Sequence, residues 1–122
     1  MTPYISHVEW LVSCLDRSTA FFHALFGWQF AVYSTHYRLY QPKQGVAVGL
    51  FETEVRRPGD SPMVHVHVAD LDAVLQQAQT LGAKIVAQRT AVPGHGWYAQ
   101  FEDYDGNRIG LFERDDDSRL KD

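Results

Sequence analysis

The sequence predicts an α+β fold built from two copies of one β-α-β-β-β module. The tetrapeptide Gly-Leu-Phe-Glu occurs at 49–52 and again at 110–113, each time four residues after a glycine, Gly45 and Gly106. Upstream, Val12-Ser13-Cys14-Leu15-Asp16 and Val68-Ala69-Asp70-Leu71-Asp72 both close a β-branched stretch and open a helical pattern that stops at a glycine, Gly27 and Gly82. The order of signals is the same in both halves, and self-similarity of this kind marks a repeated structural unit.

In the first half, alternation and β-branched or aromatic content predict strands at 4–12, 28–34, 36–41 and 46–52. Between the first two, Asp16 or Cys14 opens a helix in which Phe22 and Phe26, and Phe21 and Leu25, pair four residues apart before Gly27 ends it. That apolar surface is wide, so the helix is expected to pack deeply. Pro42-Lys43-Gln44-Gly45 supplies the last turn.

In the second half, strands are expected at 63–69, 84–88, 96–103 and 107–113. A helix over 71–81 follows from Leu71, Val74, Leu75, Ala78 and Leu81 on one face, with Asp70 able to cap the first amides and Gly82 to supply a left-handed end. Asp105-Gly106 marks a tight turn before the last strand. The expected organisation is a first module at 1–54, a polar linker at 55–62, a second module at 63–113 and a charged tail at 114–122, together one structural domain.

Composition excludes several classes of function. Eleven Lys and Arg against fifteen Asp and Glu give a net charge of −4, and no basic run is present to neutralise a row of phosphates, so no nucleic-acid partner is expected. No apolar run approaches the roughly 20 residues that span a bilayer, and the N-terminus lacks a charged region followed by an apolar one. A cytoplasmic protein with no membrane partner is expected. The single cysteine, Cys14, permits no internal disulfide, fits a reducing compartment and sits in no pattern that marks a catalytic thiol.

Three stretches carry a family resemblance: Ser6-His7-Val8-Glu9 in the first strand, Asp16-Arg17-Ser18-Thr19-Ala20-Phe21-Phe22 with Phe26-Gly27-Trp28 around the first helix, and Asp103-Tyr104-Asp105-Gly106-Asn107 before the last strand. With the tandem modules, they make residues 4–113 resemble the glyoxalase/bleomycin resistance/dioxygenase (vicinal oxygen chelate) superfamily. The resemblance implies a cupped, incompletely closed mixed β-barrel with helices outside, a cup that holds a divalent metal or a ligand, and a homodimer.

Family enzymes such as glyoxalase I take metal ligands from the first and last strands of each module. Carried over one at a time, those positions fall on His7, Gly49, Met63 and Gly110. His7 matches, glycine has no donor, and a thioether is too soft for the Zn, Ni, Mn or Fe that such enzymes use. Making Glu52 or Glu113 a ligand instead requires a shift of three residues, which reverses the strand face.

Strand parity places His7, Glu9 and Leu11 on one face, and Met63, His65 and His67 on one face of the strand opening the second module. If the family position fixes the inward face, His7, Glu9, His65 and His67 point into the cup. They are the candidate ligand-binding residues, with His7 and Glu9 as candidate acid and base, and chemically they suffice for a metal site at unconventional positions. Each also has a plain structural reading as a hydrogen-bonded strand residue, while a buried Glu9 needs a partner such as His7. Gly49 and Gly110 either allow close backbone approach or leave room for a ligand. The loop Pro93-Gly94-His95-Gly96-Trp97-Tyr98 suits either a rim over a pocket, with Trp97 and Tyr98 touching ligand, or an ordinary hairpin.

The favoured expectation is a small organic ligand bound without the usual divalent metal and with no other cofactor. The alternatives are a metal-dependent lyase, isomerase or ring-cleaving dioxygenase, and a drug-binding resistance protein.

Overall fold

A computed structural model describes residues 5, 7–54 and 63–115. The expected linker at 55–62, nearly all of the tail and positions 4 and 6 of the first strand lie outside the described residues. The chain divides into two compact units, residues 1–62 and 63–122.

The first unit runs β1 (His7–Val12), α1 (Leu15–Phe26), β2 (Ala31–Ser34), β3 (Tyr37–Tyr40) and β4 (Ala47–Glu52). The second runs β5 (Val64–His67), α2 (Leu71–Thr80), β6 (Lys84–Val92), β7 (Gly96–Glu102) and β8 (Arg108–Arg114). Each forms a four-stranded mixed sheet, in the orders β1-β4-β3-β2 and β5-β8-β7-β6. The first and last strands of a unit pair in parallel, and the other pairings are antiparallel.

Each helix covers one face of its own sheet. In the first unit the even positions of β1 point at α1: Trp10 and Val12 are fully buried, as are Phe22 of the helix and Leu50 of β4. Trp10 stacks on Phe22 with ring centroids 5.3 Å apart, and Trp28 stacks on Tyr40 at 5.1 Å. Trp28 is thus anchored by packing, and β2 begins three residues later than the alternation predicts. In the second unit Leu71 and Ala78 of α2 and Ala99, Phe101, Ile109 and Leu111 of the sheet are fully buried.

The repeated Gly-Leu-Phe-Glu gains a physical reason here. Its glutamates lie on the helix-bearing faces, and each accepts a hydrogen bond from the first amide of its helix. Glu52 Oε2 accepts from the Leu15 N–H at 3.1 Å, and Glu113 Oε1 from the Leu71 N–H at 2.9 Å. A helix leaves its first amides without internal partners and favours negative charge there, so the last strand of each module fastens its helix. Cys14, at the N-cap of α1, makes no side-chain cap, whereas Asp70 accepts from the Ala73 N–H of α2.

Glu113 also pairs with Arg89 at 3.2 Å. The Leu71 amide first, and then Arg89, outweigh burial and hold its carboxyl below the usual range. A depressed carboxylate stabilises the fold above its unfolded pKa, and this contribution is lost as pH falls through the folded value. Glu113→Gln is therefore expected to cost about 1 kcal/mol at pH 7. The gap from the parent should narrow as acid protonates the parent's carboxyl, as urea unfolding at pH 7 and in the acid range will show.

β6 extends to Val92, beyond the 84–88 expected, and joins β7 through a tight turn in which the His95 N–H donates to the Val92 carbonyl. Residues 93–98 form the turn and the opening of the β6–β7 hairpin, and Gly94 and His95 line a cleft with Arg114 and Asp115. The Asp103–Asn107 turn is closed by its own side chain, since Asp103 Oδ1 accepts from the amides of Asp105 and Asn107 at 2.9 Å. Burial raises the Asp103 pKa against the lowering effect of those bonds.

Candidate functional site

The faces that the helices leave open carry the candidate residues. On β1 the register pairs His7 with Ala47, Glu9 with Gly49 and Leu11 with Phe51. On β3 it pairs Leu39 with Gly49 and Tyr37 with Phe51. Residues paired across neighbouring strands share a face, so His7, Glu9, Tyr37 and Leu39 stand together on the open side of the first sheet.

Gly49 lies at the centre of this group, and the Tyr37 ring is laid across it. A Cβ at Gly49 would stand 2.5 Å from Tyr37 Cζ, far inside van der Waals contact. The Tyr37 hydroxyl reaches across β4 and hydrogen-bonds Glu9 of β1. Burial foremost, then the bond to Glu9 and its charge, push the Tyr37 phenol up to about 12. Near neutrality the phenol is therefore a proton donor to Glu9.

The partner of Glu9 is thus Tyr37, and Glu9 itself is exposed. Sequence reasoning offered His7 or a ligand as its partner and missed Tyr37. Beside the pair opens a cleft of about 330 Å³ lined by His7, Tyr33, Tyr37, Leu39, Gln41 and Ala47. Alkaline absorbance titration is expected to show one tyrosine ionising near 12. In Glu9→Gln that step should move down toward the ordinary phenol range near 10, and in Tyr37→Phe it should vanish.

The second unit repeats the arrangement with an imidazole. His65 pairs with Gly110 and His67 with Phe112. The His65 ring lies across Gly110, where a Cβ would stand 2.6 Å from Nε2. Tyr98 lies on the same face, its ring centroid 6.4 Å from that of His65. His7, Glu9, His65 and His67 are all exposed on the open faces and none is enclosed within its own unit. Trp97 is separated from Tyr98 by strand alternation. It lies on the helix-bearing side, with the Arg89 guanidinium 4.3 Å from its ring centroid, and forms part of the Arg89–Glu113 cluster.

The positions at which family enzymes hold a metal do not fit one in this chain. Of the four, only His7 offers a suitable donor. Gly49 and Gly110 have none, and their side-chain space is taken by Tyr37 and His65. Met63 presents an exposed thioether. Among the described residues no three His, Cys, Asp or Glu side chains gather as a metal site. Glu52 and Glu113 face the helices and bind their amides.

Two mixed sheets, each backed by one helix and joined in tandem βαβββ order, define the vicinal oxygen chelate class of protein. The sequence matches the glyoxalase/bleomycin resistance protein/dioxygenase superfamily over residues 4–111, and the chain belongs to that superfamily. No curated protein matches it significantly. Among solved structures it is similar to the fosfomycin resistance protein FosX of Listeria monocytogenes, solved with Mn(II) and sulfate. Identity there is 21%, coverage 99% of this chain and 98% of that one, and the TM-score 0.79. It is also similar to a glyoxalase-related enzyme of Fulvimarina pelagi, at 17% identity over 93% of this chain and 89% of that one, with a TM-score of 0.76. A family enzyme of Burkholderia phytofirmans gives 17% identity over 89% and 97%, with a TM-score of 0.77. At these identities the likeness establishes the fold. Among the described residues no helix is long and apolar enough to cross a membrane.

Proposed function

We propose that this chain binds a small organic molecule on the open face of its first module, without the divalent metal of the family's metalloenzymes. The observation that carries the reading is the replacement of a metal-ligand position by Gly49, with the Tyr37 ring filling the space and bonding Glu9. A carboxylate at position 49 would offer a charge to an ion. The phenol offers a fixed donor and an aromatic surface instead, and these suit an organic ligand.

His7 and Gln41 supply further polar groups around the cleft, and Leu39 and Ala47 its apolar floor. A few placed polar groups in an apolar setting are what a small-molecule site requires. On the second module, His65, His67 and Tyr98 offer a comparable set. We take the protein to act as a homodimer in the cytoplasm, and light scattering at micromolar concentration checks the assembly.

The test is a fragment screen by amide NMR on chelator-treated protein. Binding fragments are expected to shift the amides of His7, Tyr37, Leu39 and Ala47, and to do so equally after a divalent metal is restored. Fragments that bind only with metal present would overturn the proposal.

A further inference from the structure

Resting on that reading, we infer that the first-module cleft selects a small organic cation, of the alkylammonium or quaternary ammonium class. Tyr33 is the observation that starts the argument. It lies on the outer strand β2, 74% exposed, although it is a large aromatic residue. Its ring meets that of Tyr37 edge to face, with centroids 5.7 Å apart and planes inclined at 65°. The two rings therefore form a corner, with π-surfaces turned in different directions.

The cleft lining holds no permanently cationic side chain, since none of the six lining residues is Lys or Arg. The nearest guanidinium in sequence, Arg38, is bound to the carbonyls of Ser34 and Tyr37 and alternates to the opposite face of β3. The carboxylate of Glu9, joined to the Tyr37 hydroxyl, is the negative group of the face. That bond uses one of about four lone-pair sites on a carboxylate, so the group keeps capacity for a further partner. Burial first, and then the bond to Glu9, keep the phenol neutral, and it does not compete as an anion.

Two aromatic walls beside a carboxylate are the chemistry that recognises an ammonium ion, since ring faces are negative and a cation within about 6 Å of a centroid is attracted. An anionic ligand would meet Glu9 as a like charge. A neutral one would gain only apolar contact with Leu39, Ala47 and the rings. Cations with alkyl substituents lose less hydration on entering such a corner than a bare ammonium, which favours the alkylated class.

The experiment compares three probes of one shape: choline, its neutral isostere 3,3-dimethylbutan-1-ol and the anion 3,3-dimethylbutyrate. Each is titrated into the full chain and followed by amide and tyrosine-ring NMR. Choline is expected to bind at least tenfold tighter than the alcohol, about 1.4 kcal/mol, with shifts at Tyr33, Tyr37 and Ala47. Glu9→Gln is expected to bring choline within about twofold of the alcohol. Tyr33→Leu, at an exposed site where folding is not at stake, should weaken choline several-fold and narrow its advantage over the alcohol. Equal affinity of choline and the alcohol at the same residues overturns the cation preference and leaves the site standing. Shifts confined to other residues, or none with any probe, overturn both.

Discussion

Replacing Gly49 by alanine is expected to drive the Tyr37 ring off the sheet and dismantle the Glu9–Tyr37 pair. The added methyl would lie 2.5 Å from Cζ and 3.0 Å from Cε1, so the ring must move. A tyrosine at the sheet surface has a solvent-side rotamer to move into, so the fold should survive with a loss of about 1–3 kcal/mol, typical of an overpacked site. The diagnostic is the phenol. Its ionisation near 12 reflects burial and the Glu9 bond, and with both removed it should return to the ordinary range near 10. If the alkaline step stays in place in Gly49→Ala, Tyr37 does not lie where the structure puts it.

The largest loss of stability is expected from Gly96→Ala. Gly96 has φ +156°, and an added Cβ would crowd backbone: Asp115 N at 2.9 Å and Arg114 Cα at 3.0 Å, with the Glu113 carbonyl closer still. Gly96 pairs with Arg114 in the β7–β8 ladder, so relief requires the ladder itself to open. No side chain is available to swing aside. Backbone strain of about 1–3 kcal/mol, together with overpacking of similar size, gives a loss of about 3 kcal/mol or more. Thermal unfolding followed by circular dichroism should show the midpoint falling by about 10 °C or more. A fall of under about 2 °C would mean that the hairpin is not built this way.

These two glycines show what the sequence could and could not reveal. The duplicated Gly-Leu-Phe-Glu was legible as a repeat because the copies align without gaps, and the repeat predicted the module and its element order. The role of its glutamates was not legible. It depends on α1 and α2 beginning at the ends of β4 and β8, which only the folded sheets establish. Strand parity correctly grouped His7 with Glu9 and His65 with His67, because a period of two needs no knowledge of neighbours.

Tyr37 escaped notice because its place beside Gly49 comes from the β3–β4 register, which is a tertiary fact. The one available signal was that 36–41 alternates as a strand one turn away from Gly49. The C-terminal half of β6 was missed because Gln88-Arg89-Thr90 interrupts its apolar alternation. Its partners explain the exception: Arg89 spans Glu113, Asp72 and the Trp97 ring. Trp97 shares the helix side with Ala99 and Phe101 by strand alternation.

The most direct test is calorimetric titration of Mn(II), Zn(II), Ni(II) and Fe(II) into chelator-treated protein. A donor set of one histidine, two glycines and a methionine predicts no one-to-one site tighter than about 10 µM, a weak affinity of about 7 kcal/mol. Stoichiometric binding tighter than that, abolished by His7→Ala, would contradict the account.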